Sequence, residues 1–256
     1  RDRVLAEFAV DAKLGELSSW AVDIESVKKA DELVEKGFAS YQDEAAQLAV
    51  LALDPSPGMK ILDACAGRGG KTAAIAALTN NTSHLFAVDR SASKLARLLF
   101  ELSKQDLSAH TEACDLTVSL PTNGAPFDRI LVDAPCSGSG TLGRRPEIRK
   151  RLNKASITEL VSIQKSILHN TAKLLSPGGR LVFVVCSLLY SEGFEHVKSF
   201  LSAFPEMSLV KEPPPKWPET ISWNMGQIVI DPSCFSTDGY QILVFKKRIS
   251  NKIQPL

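Results

Sequence analysis

The chain has 256 residues, 44% of them apolar and 23% charged, which supports one sizeable domain with a real core and excludes a disordered or purely linking polypeptide. A formal charge of +1 argues against gripping nucleic acid by net charge, leaving that task to local clusters. No apolar run reaches the roughly 20 residues that cross a bilayer, and the opening RDRVLAEFAVDAK lacks the apolar core of a signal peptide.

Residues 1–55 are mostly helical in pattern, and because they open on Arg rather than Met they are expected to continue from a longer polypeptide. From about residue 59, short β-branched runs alternate with longer helical patterns, as in βαβ units around a parallel sheet. The expected central strands are 60–65, 84–89, 110–115, 128–134 and 180–187, with helices starting near Gly70, Ser91 and Ser156. The last of these carries Ile157, Leu160, Val161, Ile163, Ile167 and Leu168 near helical spacing, and SPGG at 176–179 stops it. A helix over 192–203 and a strand over 207–210 lead into a Pro-rich stretch that reads as a long loop. The strand YQILVFKKR at 240–248 then closes the sheet as its antiparallel member. The fold class is α/β: a mostly parallel sheet of seven strands with helices on both faces.

The five cysteines, an odd number in a chain too long to need staples, read as reduced thiols in a reducing compartment, the cytoplasm. None has C-x-x-C spacing or a nearby His, so no metal is expected. Singly, Cys65, Cys114 and Cys234 read as small buried hydrophobes. In LDACAGRGGKT the glycines at 67, 69 and 70 fall where the first strand turns into its helix. A phosphate loop would need glycine where Cys65 stands, and a dinucleotide fingerprint would need glycine at Thr72, so both fail. S-adenosylmethionine fits better. Asp89 ends the second strand about 20 residues beyond the glycines, where a ribose-holding acid belongs, and Asp115 ends the third within reach of an adenine amino group. The blander reading of each acid alone is a helix N-cap.

DAPCSGSGTLGRRPEIRKR at 133–151 delivers Asp133, Pro135 and Cys136 together to the carboxyl edge of the sheet, where ligands bind. VVCSL brings Cys186 to the same edge of the next strand, so both thiols can face one pocket. Behind Cys136 lies a basic cluster, Arg144, Arg145, Arg149, Lys150, Arg151 and Lys154, which is either an RNA-facing patch or a solvated helix face.

These phrases carry a resemblance. From about Phe38 to Lys247 the chain resembles the Sun family of RNA cytosine-5 methyltransferases, with the bacterial small-subunit rRNA branch nearest. The matching phrases are YQDEAAQLA, the cysteine, glycines and lysine of LDACAGRGGKT, VDAPCSGSG with RRPEIR, VVCSL, and TDGYQILVFKK. The resemblance implies a Rossmann-like class I methyltransferase domain over 56–250, with residues 1–55 as the remainder of a larger RNA-binding region. It implies that Cys186 adds to C6 of cytosine in RNA, rRNA above tRNA, while Cys136 aids breakdown of the adduct and Asp133 stabilises it. Cofactor contacts are implied at Cys65, Ala66, Gly67, Gly69, Gly70, Lys71, Asp89, Arg90, Asp115 and Asp133, and RNA contacts at Arg144, Arg145, Arg149 and Pro135.

Two departures stand out. The family usually reads A-P-G-G-K at the glycine turn, where this chain has Arg68 in place of the proline, and T-C-S at the nucleophile, where Val185 supplies no hydroxyl. Two other functions compete: an amino-group methyltransferase, disfavoured because Cys136 sits where a base-stacking aromatic belongs, and a methyltransferase-fold RNA-binding or assembly factor without turnover.

Overall fold

The computed structural model describes residues 12–249, so the first eleven residues of the N-terminal segment, and residues 250–256, lie outside it. Strands β1 (Ala12–Leu14) and β2 (Val22–Ile24) pair into a small antiparallel hairpin ahead of helices α1 (Val27–Glu35) and α2 (Glu44–Leu53). The helical pattern of this region gives no hint of that hairpin. Ser26 caps α1, accepting from the Lys29 N–H, and Asp43 caps α2, accepting from the Ala45 N–H at 3.0 Å. Helix α2 is apolar nearly all round because it is covered on every side, packing on β6, β7, β10 and α3.

The main sheet begins with β3 (Lys60–Ala64), whose chain turns into α3 (Gly70–Leu78), β4 (His84–Asp89), α4 (Ala92–Ser103) and β5 (His110–Ala113). It resumes with β6 (Phe127–Asp133), α5 (Lys154–Ala172), β7 (Leu175–Val185), α6 (Glu195–Ala203), β8 (Met207–Leu209), β9 (Gln227–Ile230) and β10 (Tyr240–Lys247). The strand order is β5-β4-β3-β6-β7-β10-β8, with β9 also on the free edge of β10. Strands β3 to β7 run parallel, and β10 is antiparallel to β7, Gln241 facing Val185. Helices lie on both faces. Sandwiched between them, β3 is buried from Ile61 to Ala64 and β7 is apolar and buried from Leu181 to Val185, as a parallel sheet covered on two sides requires.

The chain leaves β3 in one direction and returns to its other side at β6, creating a crevice at the carboxyl ends of these strands. The glycine turn, Asp89, Asp133, Cys136 and Cys186 all lie at or just beyond a strand end at that edge.

Three expectations need correction. The third strand ends at Ala113, two residues short of Asp115. SPGG does not separate helix from strand but bulges within β7, where the pairing with β6 jumps from Phe127↔Leu175 to Arg129↔Arg180. Gly178 takes φ +80 there. The Pro-rich stretch is not a bare loop. Trp217 and Trp223 meet edge to face at 4.9 Å and donate their indole N–H groups to Ile221 and Val210 carbonyls. With Ile228 and Ile230 of β9 they are buried in the same core as α2.

Candidate active site

The turn after β3 is held open by backbone geometry. Cys65 and Gly67 both take positive φ, +62 and +59, and the Ala66 N–H donates to the Val88 carbonyl of the neighbouring strand. A Cβ at Gly67 would meet no atom closer than 3.9 Å, so the turn faces open space there, whereas at Gly69 it would strike the Leu98 side chain at 2.5 Å. Gly69 is therefore required for close packing of α3 on α4, and as the left-handed residue that starts α3 without a side-chain cap. The first turn of α3 therefore leaves backbone N–H groups without a side-chain cap, at the positive end of the helix dipole.

Asp89 does not cap α4; Ser91 does, accepting from the Lys94 N–H. The Asp89 carboxylate instead accepts from the Gly67 N–H at 3.0 Å and the Ser91 N–H at 2.8 Å, tying the second strand end to the glycine turn. Asp115 closes a local turn by accepting from the Thr117 N–H and hydroxyl at 2.9 and 2.7 Å. Those bonds hold its carboxyl below the usual range. Arg90 is exposed beside it, and Arg68 is exposed on the turn.

Lys71, on α3, reaches across to Asp133 at the end of β6, Nζ to Oδ2 2.7 Å, with the Tyr240 ring centroid 5.7 Å from the ammonium. Beneath them Asp63 is wholly buried. It accepts from the Thr72 hydroxyl at 2.6 Å while its other oxygen has no partner, and burial pushes its pKa up to about 7. The open space beside Gly67, the orphaned Asp63 oxygen under the turn and the Asp89 carboxylate at the strand end fit a cofactor with an ammonium group and ribose hydroxyls.

Beyond Asp133 the two thiols meet, Cys136 Sγ 3.4 Å from Cys186 Sγ, although 50 residues separate them. They are not equivalent. The bond from the Cys136 S–H lowers the Cys186 pKa against burial and the Asp133 charge, and the Lys71 ammonium assists. Cys136 is pushed up by that same bond and by its burial. The environment thus favours the thiolate on Cys186 over Cys136, with Lys71 as the nearby cation. Cys65 packs against the core, and burial pushes its thiol pKa far up. Cys114 is partly buried, and Cys234 is exposed, contrary to a packing role.

The basic cluster is not a helix face. Arg144 to Arg151 lie in the loop and the short 3-10 turn (Pro146–Lys150) between β6 and α5, and only Lys154 enters the helix. Arg144 makes a two-pronged ion pair with buried Asp238, and Arg145 pairs with Glu147 at 3.2 Å, while Arg149 is exposed. The Pro135 carbonyl accepts from Gln164 Nε2 at 2.9 Å. The backbones of Gly140 and Gly239 touch, the Gly239 N–H donating to the Gly140 carbonyl at 2.8 Å, and Asp43 accepts from Thr237 Oγ1 and the Asp238 N–H.

Sequence reasoning missed the polar layer behind the thiols: Ser137, Ser187, Gln164, Glu192 and Gln241. Its only trace in the sequence is that each cysteine of the pair is followed by serine.

A doubly wound sheet with this glycine turn, these strand-end acids and this thiol pair defines a Rossmann-like methyltransferase. Comparison with known proteins narrows the class: residues 50–245 match the family 16S rRNA methyltransferase RsmB/F, and the chain belongs to that family, whose cofactor is S-adenosylmethionine. It is 36% identical over 181 residues to ribosomal RNA small subunit methyltransferase B of Pseudomonas putida, covering 69% of this chain and 42% of that protein. It is 33% identical over 254 residues to the probable enzyme of the same name from Bacillus subtilis, covering 96% and 56%. The chain thus spans about half the length of the curated relatives it matches. Among solved structures, PH0851 superposes with TM-score 0.85 at 28% identity, covering 96% of this chain and 57% of that one. NSun6 from Pyrococcus horikoshii with SFG gives 0.73 at 25% identity, covering 88% and 57%. Among the described residues, no helix is long and apolar enough to cross a membrane.

Proposed function

We propose that this protein methylates C5 of cytosine in RNA, small-subunit rRNA above tRNA, through a transient bond between Cys186 and C6. The observation that carries the reading is the thiol pair at 3.4 Å, delivered by neighbouring strands beside the Lys71–Asp133 ion pair. C5 of cytosine is a poor nucleophile until a thiolate adds at C6 and makes it enamine-like. Cys186 is the thiol biased towards that form.

S-adenosylmethionine would be held by the turn from Cys65 to Lys71, by Asp89 and Arg90, and by Asp115 and Asp133, and it supplies an electrophilic methyl group. Asp133, one oxygen engaged by Lys71, presents the other to the N3 and N4 edge of the base. Cys186 would bond to C6 as C5 takes the methyl group from the sulfonium, which leaves as S-adenosylhomocysteine; a base would then accept the C5 proton as the C6–S bond breaks and Cys186 departs as thiolate. Cys136 assists this second half. Arg144, Arg145, Arg149 and Pro135 border the RNA path, Arg144 through the loop it fixes to Asp238, and residues 1–55 contribute to RNA binding ahead of a catalytic domain over 56–250. A pair of working thiols suits a reducing compartment, the cytoplasm.

The test is covalent trapping on RNA carrying 5-fluorocytosine, where the fluorine blocks the loss from C5 that releases the enzyme. A shifted band on a denaturing gel with rRNA fragments is expected. Trapping on tRNA alone would move the substrate to tRNA. No adduct on either, from a protein that methylates RNA, would favour an amino-group target, and no methylation at all a binding factor.

A further inference from the structure

Glu192, in the 3-10 turn (Tyr190–Glu192) that follows Cys186, is 0% exposed and has no basic side chain within ion-pair distance among the described residues. A carboxyl group with no access to water or a cation is costly to bury unless donors surround it. Four donors do. The Ser137 N–H lies 2.8 Å from Oε1, the Ser137 and Ser187 hydroxyls both donate to Oε2, the latter at 2.6 Å, and Gln164 Nε2 reaches Oε1 at 3.2 Å. Gln164 is itself oriented, donating also to the Pro135 carbonyl and presenting Oε1 to His196 Nε2 at 3.1 Å.

The two serines are the residues directly after Cys136 and Cys186. One carboxylate therefore holds both cysteine loops, which arrive from different strands and are also linked here by the thiol contact, by Ser137 Oγ 3.3 Å from Ser187 Oγ, by the Gly140 N–H to the Cys186 carbonyl at 3.1 Å and by Ser139 Oγ, which bonds Ser187 Oγ and the Leu188 N–H. We propose that Glu192 is the positioning residue of this site: by clamping Ser137 and Ser187 it sets the Cys136 thiol against Cys186. The proposal rests on the covalent reading above for its consequence in turnover, but not for its effect on the thiols. The environment agrees with it, since the bond to Cys186 and burial push Cys136 up and the Glu192 charge adds to them, whereas Lys71 draws the thiolate to Cys186.

The experiment uses the whole chain and two readouts. Iodoacetamide labelling at one pH, mapped by mass spectrometry, gives the rate at each cysteine. In the wild type Cys186 is expected to label ahead of Cys136. Glu192→Gln keeps the shape but turns donors towards donors, and is expected to cut the labelling bias about tenfold, the worth of one or two hydrogen bonds. Its kcat should fall by at least that factor, while KM for RNA and S-adenosylmethionine stays within about twofold. Glu192→Asp, which retains the charge, should recover part of both. Unchanged bias and kcat in Glu192→Gln would overturn the proposal, as would loss of kcat with the bias intact. If Glu192→Gln is too unstable to assay, Ser137→Ala and Ser187→Ala decide instead. A reduced bias in each supports the clamp, and the wild-type bias in both overturns it. Failure of the wild type to trap 5-fluorocytosine RNA would defeat the covalent reading, while the labelling bias still tests Glu192.

Discussion

Lys71 and Asp133 form an ion pair across the crevice, joining the helix after the first strand of the sheet to the end of β6 over 2.7 Å. Burial alone would lower the Lys71 pKa, but the Asp133 charge and hydrogen bond outweigh it and hold it above its ordinary 10.5. A raised pKa on a base stabilises the fold below the unfolded value and loses that effect as pH climbs through the folded one. Lys71→Met should therefore cost about 1 to 3 kcal/mol, towards the lower end because Asp133 keeps some contact with water. The difference from wild type in urea melts should be flat across neutral pH and shrink in strong alkali.

The same neighbourhood governs Cys186. Its thiol lies below the ordinary 9.0, first because Cys136 donates to it and also because Lys71 is near, with burial and Asp133 opposing. Alkylation of Cys186 followed against pH should thus have a midpoint under that value in the wild type. Removing the donor in Cys136→Ala should move the midpoint upwards, and removing the cation in Lys71→Met should do the same. A midpoint that ignores both changes would mean the thiolate is stabilised by something else.

If Cys136 serves only the second half of a covalent cycle, Cys136→Ala should methylate once and accumulate protein joined to methylated RNA, seen as a shifted band on a denaturing gel. Cys186→Ala should bind cofactor nearly as well as wild type, because it lies outside the glycine turn, yet transfer nothing. The double variant should give no band. An adduct that maps to Cys136 in the wild type would reverse the two roles.

Asp89→Ala should weaken S-adenosylmethionine binding by about 1.5 to 3 kcal/mol, the loss expected for hydrogen bonds to a charged group. Because its carboxylate also holds the Gly67 N–H, part of that loss should come from a loosened turn. Asp89→Asn, able to keep one acceptor on Gly67, should lie between the two in calorimetry. An unchanged dissociation constant in folded Asp89→Ala would leave Asp89 a purely structural tie.

Gly140 has no room for a side chain, since a Cβ there would stand 2.0 Å from the Gly239 carbonyl oxygen, whereas at Gly143 nothing lies within 4 Å. Gly140→Ala must separate two backbones rather than shift a side chain, and should cost about 1 to 3 kcal/mol or more in a thermal melt. Gly143→Ala should be close to neutral.

How much of this could be read beforehand depended on whether a residue's role was local. The parallel strands announce themselves by continuous apolar runs, and Cys136 and Cys186 by following strands that had to be neighbours. Asp89 had two local readings, cap and ligand, and the appearance of Ser91 in the capping position removes the first. Glu192 was illegible because a buried carboxylate looks like a surface one until its four donors, two of them 55 residues away in sequence at Ser137, are brought to it. Strand β9 was hidden for a similar reason: four residues of QIVI amid prolines acquire their pairing only from β10. The activation of Cys186 has no sequence signature at all, since its donor is another thiol.

Strand β10 sits inside the sheet, with β7 on one side and β8 and β9 on the other, yet among the described strands it is the last in chain order. Until residues 240–247 have emerged, the edge of β7, buried from Leu181 to Val185 in the finished protein, has no partner on that side. A nascent chain therefore carries both cysteines, the glycine turn and every strand-end acid before it can fold into anything that protects them. Bare, apolar and extended, that edge is an invitation to other strands. Premature termination just before Tyr240 would thus yield not a weakened enzyme but a self-associating one, with all its reactive groups present.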